Sequence, residues 1–316
     1  MPCLLILLFL PARASALDKK ASRSLSHYIM GVVYDDLGDI DEAIHEYKAS
    51  LDLDTKNSYA RLNLATSYIK KNEPEKAKNE LVAAGRLDPE AVEPHAILAL
   101  LYSSQNRLDL AALEYEIALK NASRLAPNNI DIYRTLGLLY LQQKKFKEAE
   151  DTYKLISVLA PNDAETYFYL ANVYDELKER QKCEGNLAKA LELKPDYHEA
   201  LNYLGYLYVE ENKDLGRAET MIKKALEMQP DSGAYVDSLG WLYFKQGKPE
   251  AALKELERAS LLLEDPVIYD HLGEVYSRLG NAAQARLNWQ KSLKLDPRQE
   301  KVKKKIEALN NQESKQ

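Results

Sequence analysis

The residues best suited to catalysis in this sequence are Cys183 and His198, because an imidazole can activate a thiol as a nucleophile. The sequence around them supplies neither a third residue to orient the histidine nor an oxyanion donor. His27 and His95 could bind a metal, but they occupy equivalent positions of an internal repeat, where packing is the simpler interpretation. The sequence contains no H-E-x-x-H, C-x-x-C, G-x-S-x-G or P-loop pattern. We therefore predict that the protein is not an enzyme and uses no metal or cofactor.

The composition is that of a folded, soluble and slightly acidic protein. The 316 residues include 43 Lys and Arg against 49 Asp and Glu, and the net charge of −6 argues against a nucleic-acid binder. Hydrophobic residues make up 46% of the chain, which is ordinary for a globular protein. The tyrosine content is unusual, because 21 tyrosines stand against 4 phenylalanines.

Eight of the tyrosines, called the anchor tyrosines below, recur at spacings of 34, 34, 38, 34, 34, 35 and 33 residues. They are Tyr34, Tyr68, Tyr102, Tyr140, Tyr174, Tyr208, Tyr243 and Tyr276. Leucine or methionine stands four residues before each anchor, and glycine or alanine three before. Most repeats also carry a small residue nine and sixteen residues after it. These spacings predict one helix with an apolar stripe and a second helix packed closely against it.

Proline and glycine mark the ends of the predicted helices. The chain turns from the first helix to the second at Gly38, Gly247 and Gly280. Prolines that stop a helix follow the second helix in seven repeats. They are Pro89, Pro127, Pro161, Pro195, Pro230, Pro266 and Pro297.

The repeated pattern, clearest in Leu239–Tyr243 and Leu272–Tyr276, resembles the tetratricopeptide repeat. The resemblance covers residues 24–297, and the segment Leu204–Ala259 also resembles repeats common in bacterial envelope proteins. It implies an all-α fold, a right-handed α-solenoid (superhelix) of eight helix-turn-helix repeats.

Two departures from the repeat carry further predictions. The 38-residue spacing reflects a four-residue insertion near Asn121–Arg124, about one helical turn. It predicts a longer second helix in the third repeat and a boundary between blocks of three and five repeats. Residues 298–309 predict a basic capping helix, because the end of a solenoid needs a polar outer face. Residues 310–316 are expected to be a disordered tail.

The N-terminus has the layout of a secretory signal peptide. Leu4–Leu10 is an apolar run too short to span a membrane, and Ala14-Ser15-Ala16 supplies a small-x-small cleavage pattern. No basic residue precedes the run, which departs from the usual layout. We predict a signal peptide at residues 1–16, an exported protein that is periplasmic or secreted, and no stable membrane insertion after cleavage. A cytoplasmic protein is the alternative.

The resemblance implies that the first helix of each repeat lines a concave groove. In the fifth to seventh repeats the groove positions combine aromatic and hydrogen-bonding side chains suited to binding a peptide. They are Phe168, Tyr169, Asn172, Asn202, Tyr203, Tyr206, Asp237, Ser238, Trp241 and Phe244. The alternative is that several of these rings pack between adjacent repeats. Acidic residues near these positions favour a partner with basic and apolar side chains.

These observations predict a non-catalytic scaffold or adaptor that binds protein or peptide segments in its groove. The expected partners are proteins or peptides and not nucleic acid, and the expected oligomeric state is a monomer. The alternative function is a self-assembling structural protein of a larger envelope or secretion complex. An exposed apolar first or last repeat would favour that alternative, whereas a polar capping helix speaks against it.

Overall fold

A computed structural model describes residues 10–313 of the chain and the side chains of residues 19–309. These residues contain helices and no strand, which confirms the all-α fold class. The signal peptide expected at residues 1–16 lies outside the described side chains, and residues 1–9 lie outside the described backbone. It stays a prediction.

The chain forms two compact units, one ending at Lys145 and the other beginning at Phe146. The first unit contains α1 (Leu10–Leu37), α2 (Ile40–Leu53), α3 (Ser58–Lys70), α4 (Pro74–Leu87), α5 (Glu93–Ser104), α6 (Leu108–Leu125) and α7 (Ile130–Gln142). Within it, consecutive helices pack on one another, so that each helix pair stacks on the next as in a solenoid.

The second unit begins with α8 (Phe146–Leu159), α9 (Ala164–Glu176), α10 (Arg180–Leu193), α11 (His198–Glu210) and α12 (Leu215–Met228). It continues with α13 (Gly233–Lys245), α14 (Pro249–Leu262), α15 (Pro266–Arg278), α16 (Ala282–Leu295) and α17 (Glu300–Glu313). The first helices α11, α13 and α15 also contact one another in sequence and form one face of this unit. The division falls between α7 and α8, within the predicted fourth repeat, whereas the sequence placed a boundary after the third.

The turn after each anchor tyrosine is the same in every repeat. The residue four positions after the anchor has a positive φ, as at Gly38, Asn72 and Lys178. The amide of Lys178 donates to the Asp175 carbonyl at 2.9 Å, and the amide of Glu179 donates to the Tyr174 carbonyl at 2.8 Å. This pair of hydrogen bonds is the Schellman motif, which satisfies carbonyls at the end of a helix. The three glycines predicted to mark these turns all adopt the left-handed conformation.

Close packing between the two helices of a repeat depends on the small residues. A Cβ added at Gly205 would lie 2.8 Å from Ile222, and one added at Gly240 would lie 2.7 Å from Leu256. Both distances are too short for a real side chain, so only glycine allows the observed approach of the second helix. The small residues nine positions after the anchor are buried in most repeats, although Ala111 in α6 is partly exposed.

Helix α6 has 18 residues, whereas α2, α4, α8, α10, α12, α14 and α16 each have 14. The four-residue insertion therefore lengthens the second helix of the third repeat by about one turn, as predicted. The added turn carries Asn121, whose side-chain amide donates to the carbonyls of Pro89 and Ala91 at 2.9 and 3.1 Å.

Helix α17 covers the end of the second unit. Its residues Val302 and Leu309 are buried against Ala285 and Trp289 of α16. The helix continues through residues 310–313, which the sequence assigned to the tail, and residues 314–316 lie outside the described chain. Within the described range, no helix is both long and apolar enough to cross a lipid bilayer.

Candidate functional site

The aromatic residues predicted on α9 pack against neighbouring helices. The ring of Tyr169 stacks on Tyr153 of α8 with 5.2 Å between centroids. The ring of Phe168 lies 5.1 Å from Tyr197 and 6.4 Å from Tyr203 of α11. Both predicted residues remain half-buried, so part of each ring still contributes to the surface. Asn172, one turn further along α9, is half-buried as well.

Trp241 of α13, which the sequence predicts at a groove position, is largely internal. Only 8% of its surface is exposed. Its ring stacks on His271 of α15 with 4.0 Å between centroids and 9° between planes, and on Phe244 at 4.9 Å. Its Nε1 donates to Glu210 Oε1 of α11 at 2.5 Å. Trp241 therefore joins three first helices, and the alternative of rings packed between repeats is correct at this position.

Asp237 and Ser238 of α13, also predicted at groove positions, are buried. Asp237 Oδ1 lies 2.8 Å from Nδ1 of His271, which forms a buried ion pair when the histidine is protonated. Ser238 Oγ donates to the Ala234 carbonyl at 3.0 Å. Each residue nevertheless contributes atoms to the wall of a cavity on this face.

A cavity of about 280 Å³ opens on the face formed by α11, α13 and α15. Half of the ten predicted groove residues line it, namely Asn202, Tyr203, Tyr206, Asp237 and Ser238. The structure thus brings these five side chains together. It leaves Phe168, Tyr169, Asn172, Trp241 and Phe244 outside the lining.

The lining of the cavity includes polar groups. Asn202 Oδ1 is buried and has no hydrogen-bond partner among the described residues. A buried acceptor without a partner costs about 1–3 kcal/mol. Burial raises the pKa of the Tyr203 and Tyr206 hydroxyls, and the nearby carboxylates add to this, so both rings stay uncharged. The two tyrosines therefore provide neutral aromatic walls.

The rim of the cavity includes residues that sequence reasoning missed. Leu263 and Asp265 lie in the loop between α14 and α15, and Val267 lies in the first turn of α15. Leu263 and Val267 are exposed, and Asp265 Oδ1 accepts a hydrogen bond from the Val267 amide at 2.7 Å. Their signal in the sequence was weak, because they fall outside the repeated positions and beside a proline that marked only a helix boundary.

One basic group near this face was also missed as a charge partner. The Arg180 guanidinium lies 2.7 Å from Glu211 and 3.7 Å from Asp175. Lys245 Nζ lies 4.9 Å from the Trp241 ring, on which His271 stacks. Some of the acidic residues of this face are therefore neutralised by basic side chains, which the sequence did not indicate. Asp265 provides the carboxylate at the cavity rim.

The other candidate chemistry has structural explanations. Cys183 is fully buried, and burial raises the pKa of its thiol to about 11. His198 Nδ1 lies 2.9 Å from the Tyr235 hydroxyl, and no hydrogen bond joins it to the thiol among the described residues. His27 and His95 each pair with a glutamate on the second helix of the same repeat, at 2.6 and 2.7 Å. Among the described side chains, no group of three or more potential ligands could hold a metal ion.

Paired helices, identical turns and a stacked arrangement define an α-solenoid of the tetratricopeptide type. The family model of the cilia and flagella-associated protein 70 C-terminal domain matches residues 12–239. The model of the tetratricopeptide repeat matches residues 267–299. The chain belongs to this family of tetratricopeptide repeat domains.

Two curated relatives each match over 96 residues. An uncharacterized protein of Haemophilus influenzae is 34% identical over 30% of this chain and 51% of its own length. The type IV pilus assembly protein PilF of Pseudomonas aeruginosa is 30% identical over 30% of this chain and 36% of its own length. The chain thus spans about half of the first relative and about a third of the second.

Solved structures share the fold. A tetratricopeptide repeat protein from Parabacteroides merdae matches with a TM-score of 0.58 and 18% identity, over 80% of this chain and 98% of that one. A chain of the APC/C hetero-tetramer Cut9–Hcn1 matches with a TM-score of 0.59 and 16% identity, over 85% of this chain and 52% of that one. At these identities the likeness concerns the fold alone.

Proposed function

We propose that the protein is a non-catalytic scaffold whose second unit binds a peptide segment on the face formed by α11, α13 and α15. The observation that carries this proposal is the cavity lined by five predicted groove residues, among them Asn202, whose Oδ1 has no hydrogen-bond partner. Its volume of about 280 Å³ lies at the lower end of the range for small-molecule pockets, so it suits one side chain of a longer ligand.

The chemistry of the cavity favours a lysine or arginine side chain. The rings of Tyr203 and Tyr206 can pack against an aliphatic stem and attract a cation through their faces. Asn202 Oδ1 and the Asp265 carboxylate can accept its hydrogen bonds, whereas Asp237 is already engaged with His271. Exposed Leu263 and Val267 at the rim suit apolar residues beside the basic one. The half-buried Phe168, Tyr169 and Asn172 on α9 offer further contacts for the segment.

Selection from a random peptide display library on the immobilised full chain tests this proposal. We expect enrichment of peptides that combine one basic residue with flanking apolar residues. Asp265→Asn should weaken their binding about tenfold, because it removes a charge-assisted hydrogen bond. Asparagine can still cap α15, so this substitution leaves the fold intact.

The matched control is Asp231→Asn, which removes an exposed carboxylate of the same unit that does not line the cavity. If both variants weakened binding equally, the cause would be the overall charge of the unit and not the cavity, and the proposed site would be wrong. Enrichment of acidic peptides, or binding that Asn202→Leu leaves unchanged, would also contradict it.

We further propose that the scaffold acts outside the cytoplasm, in the assembly of a larger envelope complex. The support is the signal-like pattern of residues 1–16 and the relative named as a type IV pilus assembly protein. N-terminal sequencing of the protein from fractionated cells tests it. A mature start at Leu17 or Asp18 is the expected result, and a cytoplasmic protein that retains Met1 would overturn it.

A further inference from the structure

Helix α1 exposes a face that is covered in the first helices after it. The residues four and one before the anchor tyrosine are Leu64 and Ser67 in α3, and both are buried. Helix α3 packs on α1 and α2. The equivalent residues of α1 are Met30 and Val33, and both are exposed. Met30 has 42% of its surface exposed, whereas Leu64 has 2%.

The exposed face continues along α1 as an apolar stripe. Leu25, Ile29, Val33 and Leu37 follow one another at intervals of four residues, and Met30 lies beside them. All five side chains are exposed, with Leu37 at 70%. The opposite side of α1 packs on α2, where Ser24 donates to the Ser50 carbonyl and Tyr47 contacts Gly31. Five large apolar side chains on one side of a helix form a contiguous patch of the kind that marks an interface.

The outer surface of α17 in the second unit has a different character. Val302 and Leu309 point into the unit, and Lys301 and Lys304 are exposed. A lysine-rich surface does not complement an apolar stripe, so stacking of α17 from one copy on α1 of the next is disfavoured. Head-to-tail assembly of many copies is therefore disfavoured. Contact between two identical α1 surfaces is favoured, and such a contact produces a dimer.

The charges of α1 show how two copies would be arranged. Lys19, Lys20 and Arg23 are exposed before the stripe, and Asp36 is exposed near its end. Two antiparallel copies of α1 would bring the basic end of each near the acidic end of the other. Their helix dipoles would also oppose one another, which is the favourable arrangement.

We propose that the α1 stripe binds the α1 stripe of a second copy of this chain, with the two helices antiparallel. Residues 19–37 provide a contact about 28 Å long at 1.5 Å per residue. The dimer covers the five apolar side chains that α1 exposes. This proposed dimer differs from the monomer that we expected from the sequence.

Sedimentation velocity of the full chain over a concentration series tests the proposal. The expected species is a dimer that dissociates on dilution. Ile29→Glu, which places a charge in the middle of the exposed stripe, should yield a monomer with an unchanged circular dichroism spectrum. Leu261→Glu is the matched control, because Leu261 is 88% exposed in the second unit, and this variant should remain dimeric. A monomer at every concentration, or a dimer that survives Ile29→Glu, would overturn the proposal.

Cysteine crosslinking tests the orientation of the two helices in a background with Cys3→Ser and Cys183→Ala. Ile29→Cys, near the middle of the stripe, should form an intermolecular disulfide. Leu37→Cys, near one end, should not, because its two copies lie too far apart in an antiparallel pair. Efficient crosslinking at position 37 would contradict the antiparallel arrangement.

Discussion

The hydroxyl of Tyr174 donates a hydrogen bond of 3.0 Å to the buried carboxylate of Glu150. Lys147 and Lys154 lie 2.7 and 2.6 Å from the same carboxylate. The anchor tyrosine of one repeat thus closes an ion-pair network on the second helix of the repeat before it. In the first unit, Tyr140 and Glu116 have the same sequence separation and lie 3.5 Å apart.

This network predicts a loss of stability in acid. The hydrogen bond from Lys147, followed by those from Lys154 and Tyr174, outweighs burial and lowers the pKa of Glu150 from 4.5 to about 2. Since the folded pKa lies below the unfolded one, the stabilisation is complete above pH 4.5 and is lost as the pH falls towards 2. Because Lys147 and Lys154 are largely exposed, solvent screening limits this stabilisation to about 1–2 kcal/mol. Urea unfolding at a series of pH values should show Glu150→Gln less stable at neutral pH, with the difference from the wild type shrinking as the pH falls through 2.

Glu148→Gln on the same helix is the control, because Glu148 is exposed. It should change the free energy of unfolding by no more than about 0.5 kcal/mol. A Glu150→Gln variant with the wild-type acid profile would show that the network contributes nothing to stability.

The space around two glycines, Gly273 in α15 and Gly185 in α10, predicts opposite effects of replacing each of them with alanine. A Cβ added at Gly273 would overlap the ring of Trp289, which is buried and cannot move aside. A Cβ added at Gly185 in α10 would meet nothing within 4 Å. Gly273→Ala should therefore destabilise the protein by about 1–3 kcal/mol, and Gly185→Ala should stabilise it by about 0.5–1 kcal/mol. Thermal unfolding of the two variants measures both effects, and a stabilising Gly273→Ala would contradict the observed helix approach.

The left-handed residue at the end of α9 predicts a stabilising substitution. Lys178 has a φ of 61°, whereas three other repeats place glycine at this position. Lys178→Gly should raise the free energy of unfolding by about 1 kcal/mol, because glycine adopts this conformation without steric cost. Lys182→Gly, inside α10, should lower it by about 1 kcal/mol. Equal effects of the two substitutions in chemical denaturation would exclude the turn as the cause.

Burial of Cys183 predicts that its thiol is inert. With its pKa raised to about 11 and its side chain inaccessible, the thiol should resist alkylation by iodoacetamide at neutral pH. Mass spectrometry of the peptide that contains Cys183 should show modification after unfolding in urea and almost none before. Rapid alkylation of the folded protein would require the helix pair α9–α10 to open frequently.

The repeated positions made most of the fold predictable. The leucine and tyrosine spacing, the small residues and the turn glycines each act within one helix pair. The sequence of a single repeat therefore determines its helices, its turn and their packing. The turn predicted at Gly38 and the long α6 predicted from the insertion near Asn121 are both confirmed. Asn72 and Lys178 adopt the same left-handed conformation without a comparable sequence signal.

The candidate site was harder to predict, because its geometry depends on residues from three different repeats. Trp241 is buried by residues of the neighbouring repeats. His271 of the next repeat stacks on its ring, and Glu210 of the previous repeat accepts its hydrogen bond. Asp265 completes the cavity from a loop outside the repeated pattern. Such relationships arise when repeats stack, and no single repeat encodes them.

The extra turn of α6 limits how a chain of this kind can change in length. Four added residues advance a helix by about 400°, so the end of the helix keeps its rotational phase to within about 40°. Two added residues would rotate the remainder by about 200° and direct its buried side towards water. An insertion in a second helix therefore disturbs the packing least when it approximates a whole turn, and the insertion in α6 meets this condition.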